Sequence, residues 1–269
     1  MKKEAWYRPL ISAHRKRKSQ KLAQQFKHIL AKLQDELPVM IICYNNGVYV
    51  DHLVRQLNQF NITPIVIDNA SSDNNTLEVL AQLASDELAH VAYSDKNFGH
   101  FVGLLDPIYQ QLPNYFAYTD PDLDLNKNLP KDFLQNLIEL THQYQVYKAG
   151  FALSLLDEEE VINVSQHIAH TKPFDYQNDF SVRQFEARFW RLPLQHNTLE
   201  LHYAPIDSTF AVYNKQNYRG DLYDAIRVAG DYSAIHLPWF PKLDIMTDRQ
   251  KEVYLDSDRK KDTTWIKKS

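Results

Sequence analysis

Residues 115–124 read Tyr-Phe-Ala-Tyr-Thr-Asp-Pro-Asp-Leu-Asp, an apolar run that leads into three aspartates at alternating positions. The run has the length and aromatic content of a buried strand. A strand that ends in this way brings carboxylate oxygens, which Mg²⁺ and Mn²⁺ prefer as ligands, together above the edge of a sheet. Aspartates also end strands for purely structural reasons, so this segment alone leaves both interpretations open.

Three similar apolar runs precede this segment and begin near residues 38, 63 and 90, so the four runs recur about every 26 residues. Helical patterns separate them. In the first gap, one apolar face is formed by Val50, Leu53, Val54, Leu57 and Phe60. Strands and helices that alternate at this period predict an α/β fold with a mostly parallel sheet flanked by helices. Ligands of such sheets bind beyond the carboxyl ends of the strands.

Polar clusters follow all four runs, at residues 44–46, 68–73, 96–99 and 120–124. Their repeated position at strand ends predicts a nucleotide-type site at one edge of the sheet. The cluster at 68–73 also has a local interpretation, because Ser72 or Asp73 can serve as the N-cap of a helix that begins near Thr76.

A phosphate-binding loop of backbone amides is not predicted. The chain has only six glycines, and it contains neither a P-loop lysine pattern nor a G-x-G-x-x-G motif. A diphosphate at this edge would therefore need a divalent ion, Mn²⁺ or Mg²⁺. This requirement leads back to Asp120, Asp122 and Asp124.

The composition is that of a folded intracellular protein. Of the 269 residues, 44% are hydrophobic and 24% are charged, and one cysteine, Cys43, excludes an intrachain disulfide. No apolar run approaches the roughly 20 residues that span a bilayer. The first residues lack the apolar core of a secretory signal. We expect a cytoplasmic protein, in peripheral contact with the inner face of the membrane if its first helix binds lipid.

The amino-terminal segment is strongly basic. Residues 1–32 contain ten Lys or Arg and one acid, whereas the whole chain has 30 basic and 34 acidic residues. Apolar residues at helical spacing predict an amphipathic helix over about 19–36, which Pro38 ends. This helix can contact an anionic membrane or an acidic polymer, or its apolar stripe can pack on the main domain. The acidic remainder argues against a nucleic-acid partner.

The four motifs, in this order and at even spacing, resemble the GT-A glycosyltransferases, in particular the family 2-like enzymes that use nucleotide-sugar donors. The resemblance covers residues 38–150 well and continues more loosely to about 265. Residues 1–37 are the basic helical segment that precedes it. The resemblance implies a nucleotide-sugar-binding half at 38–150 and an acceptor-binding half of the same domain at 151–269. It also implies metal-dependent transfer of a sugar, from a UDP-sugar in particular, to a glycan, glycolipid or glycoprotein acceptor.

The same resemblance implies roles for single residues. Asp68 accepts a hydrogen bond from the base, often uracil, and Asp120 lies near the ribose or the metal. The implied nucleotide-binding residues of the first half are Tyr44, Asn45, Asp68, Asn69, Asn97 and Asp120, and the implied metal ligands are Asp122 and Asp124.

The second half supplies three further candidates. Enzymes of this family usually carry a catalytic acid at about the position of Asp207, which is 85 residues after Asp122. The resemblance therefore implies that Asp207 is the general base of an inverting displacement, or else a hydrogen-bond partner of the acceptor sugar. Arg227 is predicted to pair with a phosphate, or else to form a surface ion pair. Because GT-A enzymes often supply a late histidine to the metal, the resemblance implies that His236 is an extra metal ligand; otherwise it is a hydrogen-bonded histidine beside Trp239. The segments 206–210, 227–229 and 236–239 look like a bacterial subgroup of surface-glycan transferases.

Two other functions stay open at this point. A sugar nucleotidyltransferase usually has a glycine-rich basic loop after its first strand, which Asn45-Asn46-Gly47 does not provide. A non-catalytic module would bind polyanions through the basic helix. Processive polysaccharide synthesis is not expected, because the Q-x-x-R-W motif of the synthases is absent. His167 and His170 lack companion ligands at zinc spacing.

Overall fold

The computed structural model describes residues 13–34, 36–154, 163–164, 180–181, 185–240 and 242–257. His167 and His170 lie outside these ranges. The helices are α1 (Ala13–Leu33), α2 (Gly47–Asn58), α3 (Asn74–Ser85), α4 (Asp106–Tyr109), α5 (Phe133–Gln143) and α6 (Asp248–Ser257). The strands are β1 (Val39–Cys43), β2 (Ile65–Asp68), β3 (His90–Tyr93), β4 (Tyr115–Thr119), β5 (Leu123–Asp124), β6 (Lys148–Phe151), β7 (Asn163–Val164), β8 (Phe180–Ser181), β9 (Pro193–Leu194), β10 (Leu201–Tyr203), β11 (Ala211–Asn214), β12 (Ala225–Val228) and β13 (Ile235–His236).

Nine strands form one sheet in the order β3-β2-β1-β4-β11-β6-β12-β10-β9. The first four strands of the chain pair in parallel, as predicted, because each is followed by a helical or looped crossover. Strand β11 enters between β4 and β6 and is antiparallel to both. The sheet is therefore parallel in its first half and mixed in its second. Strands from residues 38–150 and strands that come later in the chain belong to this one sheet.

The sheet is covered on both faces by apolar side chains. Strand β1 is buried at every position because α2, α3 and α5 pack on one face of the sheet while α1 and α4 pack on the other. The predicted apolar face of α2 is confirmed, since Val50, Leu53, Val54 and Leu57 are all fully buried. Gly150 lets β6 approach β11 closely, because a Cβ atom there would lie 2.2 Å from the carbonyl oxygen of Phe210.

Helix α1 packs on the main domain, the second of the two predicted arrangements. Its side chains Leu22, Phe26 and Leu33 are buried among residues of β1, β2 and β4. The Gln25 amide also binds the backbone N–H and C=O of Tyr93, at 3.0 and 2.8 Å, which covers the exposed edge of β3. The helix ends at Leu33, earlier than predicted, because Gln34 adopts the left-handed conformation with φ of 53°. In the ranges described, no helix is long and apolar enough to cross a membrane.

Candidate active site

The parallel register places the carboxyl ends of β1, β2 and β4 at one edge of the sheet. Cys43 lies opposite Asp68, and Ile41 lies opposite Thr119. The polar clusters that follow these strands therefore meet at this edge, as the sequence predicted.

The loop after β1 is tied to the loop after β2 by Asn45. Its side-chain oxygen accepts hydrogen bonds from the backbone amides of Ser72 and Asp73, at 2.7 and 3.0 Å. Its backbone N–H donates to Ser71 Oγ at 2.9 Å. Its Nδ2 atom is buried and has no hydrogen-bond partner among the described residues. One donor in this loop is thus left for a ligand. The neighbouring Tyr44 is half-buried.

Asp68 is buried at the end of β2, and its Oδ1 atom accepts from the amide of Ser71 at 3.0 Å. Burial is the main cause that raises the pKa of this carboxyl group above its usual value. Asp73, in contrast, has the local role that the sequence allowed, because it caps α3 by accepting from the Thr76 amide at 2.8 Å.

Asn69 and Asn97 join the loops after β2 and β3. The Asn69 amide nitrogen donates to Asn97 Oδ1 at 2.9 Å and to the carbonyl oxygen of Gly99 at 3.0 Å, while its oxygen accepts from the Phe98 amide at 2.8 Å. Asn69 is almost fully buried by these contacts. Its hydrogen-bonding groups are used to shape the loops, and direct nucleotide contact by Asn69 or Asn97 stays a prediction.

Asp122 and His236 lie side by side although 114 residues separate them in the chain. Strand β13 pairs with β5, which places His236 opposite Leu123 and its Nε2 atom 3.3 Å from Asp122 Oδ2. The other oxygen of Asp122 is buried and has no hydrogen-bond partner in the described part of the chain. A buried carboxylate oxygen without a partner is costly unless an ion or water satisfies it.

Asp124, another of the predicted metal ligands, is bound to α2, and its role as a ligand stays a prediction. Its carboxylate accepts hydrogen bonds from α2, from His52 Nε2 at 2.9 Å and from the Gln56 amide. The His52 hydrogen bond is the main cause that lowers the pKa of Asp124. This carboxylate fastens β5 to α2, and we leave it out of the proposed metal site.

Asp120 faces the second half of the protein. Its Oδ2 atom accepts a hydrogen bond from the Ser208 hydroxyl, and its amide donates to the carbonyl oxygen of Ser208 at 2.7 Å. Burial, and then the negative charges of Asp122 and Asp207, raise its pKa well above the usual range, against the opposing effect of Ser208. Asp207 itself is exposed. The structure thus brings the predicted base close to Asp120.

Arg227 is bound inside the protein. The guanidinium is buried, forms an ion pair with Glu186, donates to the carbonyl oxygen of Pro205 at 2.9 Å and lies over the Phe189 ring at 4.1 Å. Because it is buried, Arg227 does not form the surface ion pair that the sequence also allowed, and pairing with a phosphate stays a prediction. Glu186 could not be predicted as its partner, because 41 residues separate the two in the chain.

Three other residues of the site were not predicted. Ser208 directly follows Asp207, and its adjacency was the only available signal. Tyr49, in the first turn of α2, is close enough to Asp122 for that charge to raise its pKa, although burial has the larger effect. Lys148 is the only charged residue in the apolar run 146–153, and that isolation was a signal.

The described residues provide a two-ligand metal site at most. Among them no three His, Cys, Asp or Glu side chains converge to hold an ion. Asp122 and His236 nevertheless suit a Mn²⁺ or Mg²⁺ ion that takes its remaining ligands from a diphosphate and water, since such ions are often held by one or two carboxylates plus substrate phosphates.

The sequence model of glycosyl transferase family 2 matches residues 39–198, more than half of the chain. The chain belongs to glycosyltransferase family 2. This assignment, together with the sheet, confirms the predicted GT-A family 2-like glycosyltransferase. It speaks against both a nucleotidyltransferase and a non-catalytic polyanion-binding module. No curated protein sequence matches the chain.

Two solved glycosyltransferase structures are similar in fold. The mannosyltransferase PcManGT from Pyrobaculum calidifontis, in complex with GDP-Man and Mn²⁺, has a TM-score of 0.45 and 11% identity over 81% of this chain and 65% of its own. S. aureus TarS 1–349 has a TM-score of 0.39 and 13% identity over 67% of this chain and 47% of its own. The chain thus spans less than two thirds of the length of either structure.

Proposed function

We propose that this family 2 glycosyltransferase transfers a sugar from a nucleoside diphosphate sugar, in a reaction that depends on Mn²⁺ or Mg²⁺. The observation that carries the proposal is the buried Oδ1 atom of Asp122, which has no hydrogen-bond partner in the described chain while Oδ2 lies 3.3 Å from His236. Asp122 and His236 would hold the ion, which, when bound, neutralises negative charge on the diphosphate leaving group.

Asp68 and Asn45 support nucleotide binding at the neighbouring strand end. A carboxylate acceptor suits the ring N–H of uracil, and the buried Nδ2 atom of Asn45 supplies a donor to the same ligand. Guanine also presents a ring N–H, whereas the corresponding ring atoms of cytosine and adenine are acceptors. We therefore propose a UDP-sugar as the donor, with a GDP-sugar as the first competitor to test.

Asp207 is the proposed general base. Its carboxylate is exposed, and its charge is close enough to Asp120 to raise the pKa of that group. In an inverting transfer, the acceptor hydroxyl gives its proton to Asp207 while its oxygen attacks the anomeric carbon. The bond from that carbon to the diphosphate breaks, and the products are a glycosylated acceptor and a nucleoside diphosphate.

The acceptor is proposed to be a saccharide or a lipid-linked saccharide of bacterial surface-polysaccharide synthesis, which receives one sugar at a time. Because the apolar stripe of α1 is buried, membrane contact would depend on its exposed lysines, among them Lys27 and Lys32. Each such charge near an anionic surface is worth about 1 kcal/mol. Vesicle flotation of the wild type and of the double variant Lys27→Gln/Lys32→Gln tests this contact. The proposal predicts that the double variant binds anionic vesicles more weakly than the wild type.

A donor panel tests the proposed function. Hydrolysis of UDP-, GDP-, CDP- and ADP-sugars is measured with Mn²⁺, with Mg²⁺ and with EDTA, and the expected result is release of UDP only when a divalent ion is present. Equal release in EDTA would contradict the metal dependence. Release from a GDP-sugar alone would contradict the proposed role of Asp68 in selecting uracil.

A further inference from the structure

The segment 205–208 joins β10 to β11 and carries Asp207. All four of its carbonyl oxygens accept hydrogen bonds from side chains or from the loop after β4. The donors are Arg227 Nε to Pro205 at 2.9 Å, Lys148 Nζ to Ile206, Lys148 Nζ to Asp207 at 3.4 Å and the Asp120 amide to Ser208 at 2.7 Å. Backbone carbonyls more often bond to other backbone groups. In this segment the side chains of Arg227 and Lys148 donate hydrogen bonds that a neighbouring strand would otherwise supply.

Lys148 is the less expected of the two cations. It lies in β6, is 1% exposed, and forms no salt bridge with any described carboxylate. Burial lowers its pKa to about 8, although the nearby charge of Asp207 acts in the opposite direction. A buried ammonium group is costly where an apolar side chain would pack well, so its two carbonyl contacts call for a reason beyond stability.

We infer that Lys148 is a positioning residue for sugar transfer, whose ammonium group holds the segment 205–208 so that Asp207 keeps a fixed place beside Asp120. The inference rests on the proposed function, in which Asp207 takes the proton of the acceptor hydroxyl. The side chain of Asp207 is exposed, so its position is set by the backbone that carries it. Ser208 extends the effect to Asp120, which it binds through both its carbonyl oxygen and its hydroxyl group.

The chain contains a matched control for this role. Lys215 also donates to two carbonyl oxygens, those of Tyr109 and Leu112, each at 2.9 Å, and it also lies over a tyrosine ring. Burial lowers its pKa as it does for Lys148. Its contacts are with α4 and the turn before β4, at the opposite end of β4 from Asp120. Loss of Lys215 removes the same kind of interaction far from the proposed chemistry.

The test compares Lys148→Met with Lys215→Met in two assays. Hydrogen exchange is followed in the peptide 204–210, where we expect faster deuterium uptake in Lys148→Met than in wild type and no change in Lys215→Met. In steady-state transfer we expect kcat of Lys148→Met to fall by about 10- to 100-fold, the scale of a catalytic group displaced by about 1 Å, with donor KM unchanged. Lys148→Arg, which keeps a cation, is expected to restore part of kcat and to serve if Lys148→Met does not fold.

Unchanged exchange in the peptide 204–210 of a folded Lys148→Met protein would overturn the inference, and so would wild-type kcat in that variant. An equal loss of kcat in Lys215→Met would also overturn it, by showing a general effect on stability. A wild-type protein that transfers no sugar from any donor would instead count against the proposed function. The hydrogen-exchange assay would still test whether Lys148 stabilises the segment 205–208, because it needs no turnover.

Discussion

The loops after β1 to β3 and the edge after β4 differ in how their polar groups are satisfied. Asn69 and Asn97, together with most of the hydrogen-bonding groups of Asn45, bind one another and the backbone of neighbouring loops. At the edge after β4, a buried oxygen of Asp122 lacks a hydrogen-bond partner among the described residues, and the charges of Asp122 and Asp207 add to burial in raising the pKa of Asp120. Most polar groups of the first region therefore hold its loops together, with Asp68 and the Nδ2 atom of Asn45 left for the proposed nucleotide, whereas the second region retains the groups proposed for metal binding and chemistry.

The comparison predicts its largest effect at Asp122. Asp122→Ala should abolish both sugar transfer and metal-dependent donor binding while the protein stays folded, because this carboxylate serves a ligand. Asp124→Ala is the matched control, since it removes a carboxylate two residues away that is bound to α2. Transfer rates and Mn²⁺-dependent UDP calorimetry check the pair. Equal losses in the two variants would remove the distinction between the two carboxylates.

Asp207 should govern the rate and not donor binding. Asp207→Asn should lower kcat by about 10²- to 10⁴-fold with donor affinity nearly unchanged, because the variant keeps the shape of the residue and loses the base. Steady-state transfer assays measure kcat, and calorimetry with the donor measures its affinity. A raised acceptor KM with normal kcat would make Asp207 an acceptor-binding residue, and retention at the anomeric carbon in product NMR would exclude a simple inverting base.

Asp68 tests whether the loops after β1 to β3 also recognise the base. Asp68→Ala should weaken UDP binding by about 1–3 kcal/mol, the range for loss of one buried hydrogen-bond partner, with a smaller effect on kcat. Calorimetry of UDP on both proteins gives the difference. Equal UDP affinity in Asp68→Ala and wild type would show that Asp68 only holds the loops together.

The smallest expected effect concerns Asp124 and is one of stability. Its pKa in the folded protein is lowered, mainly by the His52 hydrogen bond, so its contribution is present above pH about 4 and is lost as pH falls through the folded-state value. Asp124→Asn should therefore cost about 1 kcal/mol or less at pH 7, since both partners are about one third exposed. Urea unfolding should show that the difference in the free energy of unfolding between the wild type and Asp124→Asn becomes smaller toward pH 3. A difference that grows as the pH falls would contradict the lowered pKa assigned to Asp124.

The fold of residues 38–150 was predictable because its signals are local. Each apolar run, each polar cluster and the apolar face of α2 lie within a short stretch of chain, and the parallel register then places them at one edge. The Asp122–His236 contact depends on β13 pairing with β5 across more than 100 residues, and only the family resemblance suggested it. The partners of Asp124 and Arg227, which are His52, Gln56 and Glu186, could not be predicted because they are set by tertiary packing that no spacing in the sequence encodes.

The central claim is that a divalent ion binds between Asp122 and His236 together with the donor diphosphate. A crystal structure with UDP and Mn²⁺, with anomalous data collected at the manganese edge, tests this most directly. The account predicts one anomalous peak within bonding distance of Asp122 Oδ1 or Oδ2, with His236 and the diphosphate as further ligands and Asp124 still bound to His52. A peak held by other residues, or UDP bound at this edge with no manganese, would contradict it.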